Sequence, residues 1–140
     1  MHLSDIRQFY AEEIRAVSNI QSKALVRALA TVPRECFLGP RPWQIVNADP
    51  WQMMPPNTGL GAGGSYRSTD DADPNHLYHN VLVAIDASRK LNNGLPSAVV
   101  WWLDCLDLRQ GDRVLHVGCG TGYYSAISRW TNWSCDWRRD

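Results

Sequence analysis

The residues best suited to chemistry are Gly118-Cys119-Gly120-Thr121-Gly122, which follow the apolar run Val114-Leu115-His116-Val117 and precede Tyr123-Tyr124-Ser125-Ala126-Ile127. Glycines lack a Cβ, so the backbone can turn sharply and a ligand can approach it closely. A helix that begins directly after such a loop offers unpaired N–H groups to a carboxylate or phosphate. A short strand, a glycine loop and a helix start in this order predict a ligand-binding loop. Tyr123 and Ala126 stand where a dinucleotide fingerprint would continue toward its third glycine. A nucleotide-dependent oxidoreductase is therefore the more distant reading.

The segment from Val114 through Tyr124 resembles motif I of S-adenosylmethionine-dependent methyltransferases. Upstream, Val32-Pro33-Arg34-Glu35-Cys36-Phe37 is similar to the segment that follows the N-terminal helices of the protein-L-isoaspartate O-methyltransferase family. Pro96 precedes Val114 at the spacing that separates this family's Thr-Ile-Ser-x-Pro stretch from motif I, and the resemblance covers roughly residues 3–127. It implies a class I fold and S-adenosyl-L-methionine as cofactor. Gly118, Gly120 and Gly122 would line its methionine and ribose portions, and Cys119, Thr121 and Tyr123 would add backbone contacts.

Two positions depart from the family pattern. His116 stands where an acidic residue is usual, so any contact the family's carboxylate makes toward the methionine amino group is replaced or lost; packing and cofactor contact both remain open for it. Asn92-Asn93-Gly94 stands in place of Thr-Ile-Ser. The hydroxyls that would hold an isoaspartyl carboxylate are missing; an amide of Asn92 or Asn93, or Ser97 just after Pro96, is the substitute on the substrate side. The same residues also read as an Asn-Gly turn with positive φ.

What the resemblance implies chemically is methylation of a carboxyl group on a protein or peptide. A carboxylate is already ionised at neutral pH and needs no strong general base. No catalytic acid or base is therefore singled out, and the protein's task would be to align the reactants and exclude water. The alternative reading is a truncated, inactive fragment that associates with another chain.

Other candidates carry less. His76 and His79 lie close in sequence, but without a nearby cysteine or a carboxylate in helical register they do not make a metal site. Asp70, Asp71 and Asp73 read as a solvated turn. Gly59, Gly61 and Gly64 satisfy a GxGxxG pattern but have no apolar strand before them and no helix after them. Cys36, Cys105, Cys119 and Cys135 share no CxxC spacing, and are expected to be reduced, buried or incidental thiols.

The elements that must position the loop can be read in order. Apolar residues at Ile6, Phe9, Tyr10, Ile14, Val17, Ile20, Ala24, Leu25, Ala28 and Leu29 form a helical stripe, with Ser4 as its N-cap and Pro33 as its end. Phe9 and Tyr10 are expected in the core. A Pro/Gly/Asp-rich connection follows between residues 39 and 74. Residues 81–85 read as a buried strand, and Pro96 as the first turn of a helix through Val99, Val100, Trp101, Leu103 and Leu106. Trp101 and Trp102 are adjacent and cannot both face inward. Arg109-Gln110-Gly111-Asp112 makes a polar turn before the expected strand at 114–117.

The fold class expected is α/β: an incomplete Rossmann-like methyltransferase fold with an N-terminal helical cap. Residues 1–80 would hold the helices and the long connection, and residues 81–140 the start of the Rossmann-like domain. Its tail, 128–140, is rich in Trp and lacks the apolar run of a buried parallel strand. The acidic residue that usually holds the ribose hydroxyls, about 20 residues past the loop, has no good counterpart in Asp136 or Asp140. The expectation is a truncation or altered reading frame that leaves a sheet edge open to self-association. The 140 residues carry 14 basic and 14 acidic side chains, a balance that predicts no nucleic-acid partner. No signal region or long apolar stretch is evident, so no membrane partner is expected and the location expected is cytoplasmic.

Overall fold

The computed structural model describes residues 2–46 and 66–132. Helix α1, Leu3–Ser18, starts at His2 rather than Ser4, because Asp5 reaches back to accept a hydrogen bond from the His2 backbone at 3.2 Å. It ends where Asn19 turns left-handed, a conformation Asn tolerates. Helix α2, Lys23–Thr31, is capped by the Ser22 hydroxyl, and Pro33 follows its end. Asp104 strengthens this start from a distance in sequence, accepting from the backbone N–H groups of Gln21 and Ser22 at 3.0 and 2.9 Å.

Two hairpins come next. Strands β1, Gln44–Val46, and β2, Tyr66–Ser68, pair antiparallel. Strands β3, Ala84–Asp86, and β4, Leu91–Asn92, do likewise, with a bulge between Ala84 and Asp86. A single bridge between Ile45 and Val83 joins the hairpins. Helix α3, Pro96–Cys105, places proline in its first turn as expected, and helix α4, Tyr123–Asn132, leaves the glycine loop.

The larger core joins Tyr10, Ala11 and Ile14 of α1, Leu25, Ala28 and Leu29 of α2, Val100 of α3, and Tyr123, Tyr124 and Ile127 of α4. Burying side chains of this size stabilises by about 1.5–3 kcal/mol each. A smaller cluster of Trp43, Ile45, Leu77 and Val83 lies under the hairpins. Between the two sits Arg34, fully buried, in the short 3-10 turn Arg34–Phe37.

Several expectations need correction. Tyr10 is buried but Phe9 is 71% exposed, since neighbours on a helix lie about 100° apart and one stripe cannot take both. Val17 is likewise outside the core; Trp101 and Trp102 both face outward, in keeping with the expectation that they cannot both face inward. Of the two alternatives for the thiols, buried or incidental, Cys36, Cys105 and Cys119 take the second: they are free and exposed. The strand expected at 81–85 begins only at Ala84 and joins an antiparallel hairpin. The strand expected at 114–117 does not form: Leu115 is 87% and Val117 83% exposed, and their backbone has no ladder partner among the described residues. A parallel strand exists only beside a neighbour, and no parallel pair is present among the described residues. The Gly59-Gly61-Gly64 pattern, Cys135, Asp136 and Asp140 lie outside the described residues. Of the Trp-rich stretch, residues 128–132 continue α4, with Ser128 buried.

Tyr10, Tyr78, Tyr123 and Tyr124 all have phenol pKa values raised above the ordinary value of 10.0, chiefly by burial. In the unfolded chain they ionise near pH 10, while in the fold they stay neutral. Stability is thus fully present below about pH 10 and falls as pH rises beyond it. Thermal melts across alkaline pH should show a flat midpoint giving way to a steep decline, with tyrosinate absorbance appearing together with unfolding and not before it.

Candidate functional site

The glycine loop is held at its helix end and along one side. Gly118, Gly120 and Gly122 have φ of 71°, 56° and 89°, the left-handed region that glycine alone adopts without strain. Gly122 N–H donates to the Cys119 carbonyl at 3.0 Å, closing the turn, and the Gly122 carbonyl accepts from Ala126 as α4 begins. Around Gly118 and Gly122 no heavy atom lies within 4 Å of where a Cβ would stand, so the backbone there is open to approach. Gly120 instead rests on the β3 hairpin: a Cβ would come within 3.0 Å of Ile85 Cδ1.

The segment expected on the substrate side meets the loop. The Thr121 hydroxyl donates to Asn93 Oδ1 at 3.2 Å, and the Tyr124 hydroxyl donates to the Gly94 carbonyl at 3.3 Å. Asn93 is buried, its backbone N–H bound to the Val83 carbonyl, and its Nδ2 has no hydrogen-bond partner among the described residues. A buried amide donor left unpaired costs about 1–3 kcal/mol unless an acceptor arrives. Asn92 turns the other way and accepts from the Tyr66 hydroxyl at 2.8 Å. Gly94 has φ of 81°, so the positive φ expected of the Asn-Gly pair is present, but the chain passes straight into α3.

Two expected site residues stand apart from this junction. His116 is exposed, with Nδ1 2.9 Å from the Ser125 hydroxyl on α4. It borders a cleft of about 520 Å³ with Asp112, Val114, Ser125, Ser128 and Arg129, which no residue of the glycine loop lines. Ser97 is tied into the helices, its N–H donating to Asn80 Oδ1 and its carbonyl accepting from the Ser18 hydroxyl. Cys119 is exposed on the loop, and Tyr123 directs its ring into the core.

Sequence reasoning missed Tyr124, Ile85 and Tyr66. The doubled tyrosine after Gly122 was the available signal for Tyr124, but nothing in the pattern said which ring would reach Gly94. Elsewhere, the His76 ring lies 2.9 Å from Asp71 Oδ1, and Asp71 also accepts from the Asp73 backbone. These contacts hold the Asp71 carboxyl below its ordinary pKa, the Asp73 N–H contributing most. No group of three metal-ligating side chains occurs among the described residues, and no helix among them is long and apolar enough to cross a membrane.

The glycines differ in what substitution should cost. Gly118→Ala is expected to destabilise by about 1 kcal/mol, the strain of a left-handed alanine. At Gly94 a Cβ would also come within 2.9 Å of Val99 Cγ2 and 3.4 Å of the Tyr124 ring. Gly94→Ala should therefore cost about 2–3 kcal/mol. Denaturant unfolding of the two variants checks the order; equal costs would show that the close approach at Gly94 is relieved elsewhere.

Comparison with curated proteins returns no match to the chain, and neither does comparison with solved structures. The description of one family, Protein-L-isoaspartate(D-aspartate) O-methyltransferase, matches residues 69–131. The matched stretch contains the β3 hairpin, α3, the glycine loop and nearly all of α4. Over residues 69–131 the chain is similar to the Protein-L-isoaspartate(D-aspartate) O-methyltransferase family.

Proposed function

We propose that the chain carries the S-adenosyl-L-methionine-binding segment of a Rossmann-like methyltransferase that methylates a carboxyl group of a protein or peptide. The observation that carries this reading is the loop of three left-handed glycines opening α4 inside the family-matched stretch. Open backbone at Gly118 and Gly122, together with the unpaired Asn93 amide, fits a ligand rich in hydrogen-bonding groups. The cofactor would supply a methyl group already electrophilic on its sulfonium. Gly118, Cys119, Gly120, Thr121, Gly122 and Tyr123 would hold it through backbone groups, as the family resemblance implies.

Asn93 is the residue placed to serve the acceptor side, where the family's hydroxyls are absent. Its Oδ1 fixes Thr121, and its Nδ2 can donate to an acceptor oxygen once the junction opens. The chain's contribution to methyl transfer is then orientation and the exclusion of water, since an ionised carboxylate needs no base. His116, carrying an imidazole where a carboxylate is usual, would reach the methionine amino group only by way of the ring nitrogen that Ser125 does not hold.

Calorimetric titration of the folded 140-residue chain with S-adenosylhomocysteine tests the reading. Micromolar binding, about −8 kcal/mol, is expected, with NAD giving none. Absence of binding by a folded sample would sink it.

A second reading, association with another copy, has its own observation. Residues 114–117 are exposed and apolar, and their backbone groups find no partner among the described residues. In an antiparallel pairing of two such segments with Leu115 opposite Leu115, Arg113 faces Val117, so no like charges meet. The chain's balanced charge adds no long-range repulsion. Sedimentation should find dimers that Leu115→Lys returns to monomers; a wild-type monomer at high concentration removes this reading.

A further inference from the structure

Arg34 has no surface exposure, and none of the ion pairs formed among the described residues uses it. Glu35, its neighbour, is taken by Arg7 and by the Tyr78 hydroxyl. What answers the Arg34 charge is backbone and aromatic. Its Nη1 donates to the carbonyls of Leu77 at 2.6 Å and His79 at 3.2 Å, and its Nη2 donates to that of Val81 at 2.9 Å. The guanidinium also lies 6.0 Å from the Tyr10 ring centre and 5.9 Å from that of Tyr123.

These contacts lead to both sides of the glycine loop. Residues 77–81 run into Val83, whose carbonyl holds Asn93, and into Ile85, which underlies Gly120. Tyr123 is the residue after Gly122 and the first of α4. One planar side chain therefore fixes the hairpin side of the loop through carbonyls and the helix side through a ring face.

We infer that Arg34 is the positioning residue of the glycine loop, setting the gap between the Asn93 hairpin and the start of α4. Nothing in the family match bears on this, since Arg34 lies outside residues 69–131. Its consequence for ligand affinity rests on the function proposed above; its consequence for loop geometry does not. A lysine cannot replace it, because an ammonium lacks the rigid fork that reaches three carbonyls while lying near two ring faces.

The test uses the full chain with Arg34→Lys, which keeps the charge. The backbone amide resonances of Gly118, Gly120 and Gly122 are compared with wild type without ligand, and affinity for S-adenosylhomocysteine is measured on the folded protein. Positioning predicts displaced glycine resonances and affinity roughly tenfold weaker, the scale of one lost oriented contact. A merely structural role predicts a lower melting temperature with glycine resonances and affinity unchanged, and that result overturns the inference. If wild type binds no S-adenosylhomocysteine, the proposed function fails while the resonances still decide the positioning role. If Arg34→Lys does not fold, hydrogen exchange on wild type decides instead: the Asn93 amide and the α4 amides of Ala126 and Ile127 should open as one unit. Independent opening would refute the clamp.

Discussion

One buried guanidinium ties the helical core to the segment that leads into the β3 hairpin. A charge removed from water is tolerated when its field is answered by oriented dipoles. Arg34 gathers the Leu77, His79 and Val81 carbonyls at its two terminal nitrogens and lies over the rings of Tyr10 and Tyr123, while its buried Nε has no hydrogen-bond partner among the described residues. Backbone at 77–81 belongs to no sheet, and the same bonds answer the Leu77 and Val81 carbonyls, while the His79 carbonyl also accepts from the Val81 N–H. Tyr78, inside this segment, adds a second tie: its hydroxyl accepts from Arg7 of α1 and from the Arg34 backbone N–H, and is hydrogen-bonded to Glu35. The helices and the hairpins meet through polar bonds as much as through apolar contact.

The candidate site inherits its shape from this arrangement. Where Gly120 rests on Ile85 and Thr121 on Asn93, the loop has a floor; where Gly118 and Gly122 stand free, it has an open face. Left-handed glycines at all three positions turn the chain without side chains in the way, and α4 then begins with its N–H groups next to that face. An unpaired Asn93 amide at the floor is a local cost that the core around Tyr124 and Ile127 offsets, and such costs concentrate where ligands bind.

How much of this was legible depended on whether the signal was local. Most of the helical stripe, Pro33 as a stop, Pro96 in a first turn and positive φ at Gly94 follow from single-residue stereochemistry, and the structure has them. The cap at His2 was missed because Asp5 supplies the capping interaction, not Ser4. Phe9 could not be told from Tyr10 by periodicity, since the stripe's centre is decided by what α2 and Tyr78 present to it. Arg34 was visible only as part of a family-like segment; its burial depends on residues more than forty positions away. The Thr121 to Asn93 contact was equally hidden, because it joins two segments that each read as turns.

The missing strand at 114–117 makes a physical point about the loop. Its apolar residues are correct for a strand buried on both faces, yet a strand is a relation between chains and not a property of one. With no neighbour among the described residues, the segment presents Leu115 and Val117 to solvent while its sequence asks for burial. The glycine loop is thus fixed where it enters α4 and only lightly tied where it leaves this segment, through His116 and Ser125. A ligand that needs both ends in place must itself hold the strand end, and the free energy of doing so is subtracted from its affinity. A neighbouring strand would remove that cost, so any pairing at 114–117 and any ligand held by the loop would be thermodynamically linked, each favouring the other.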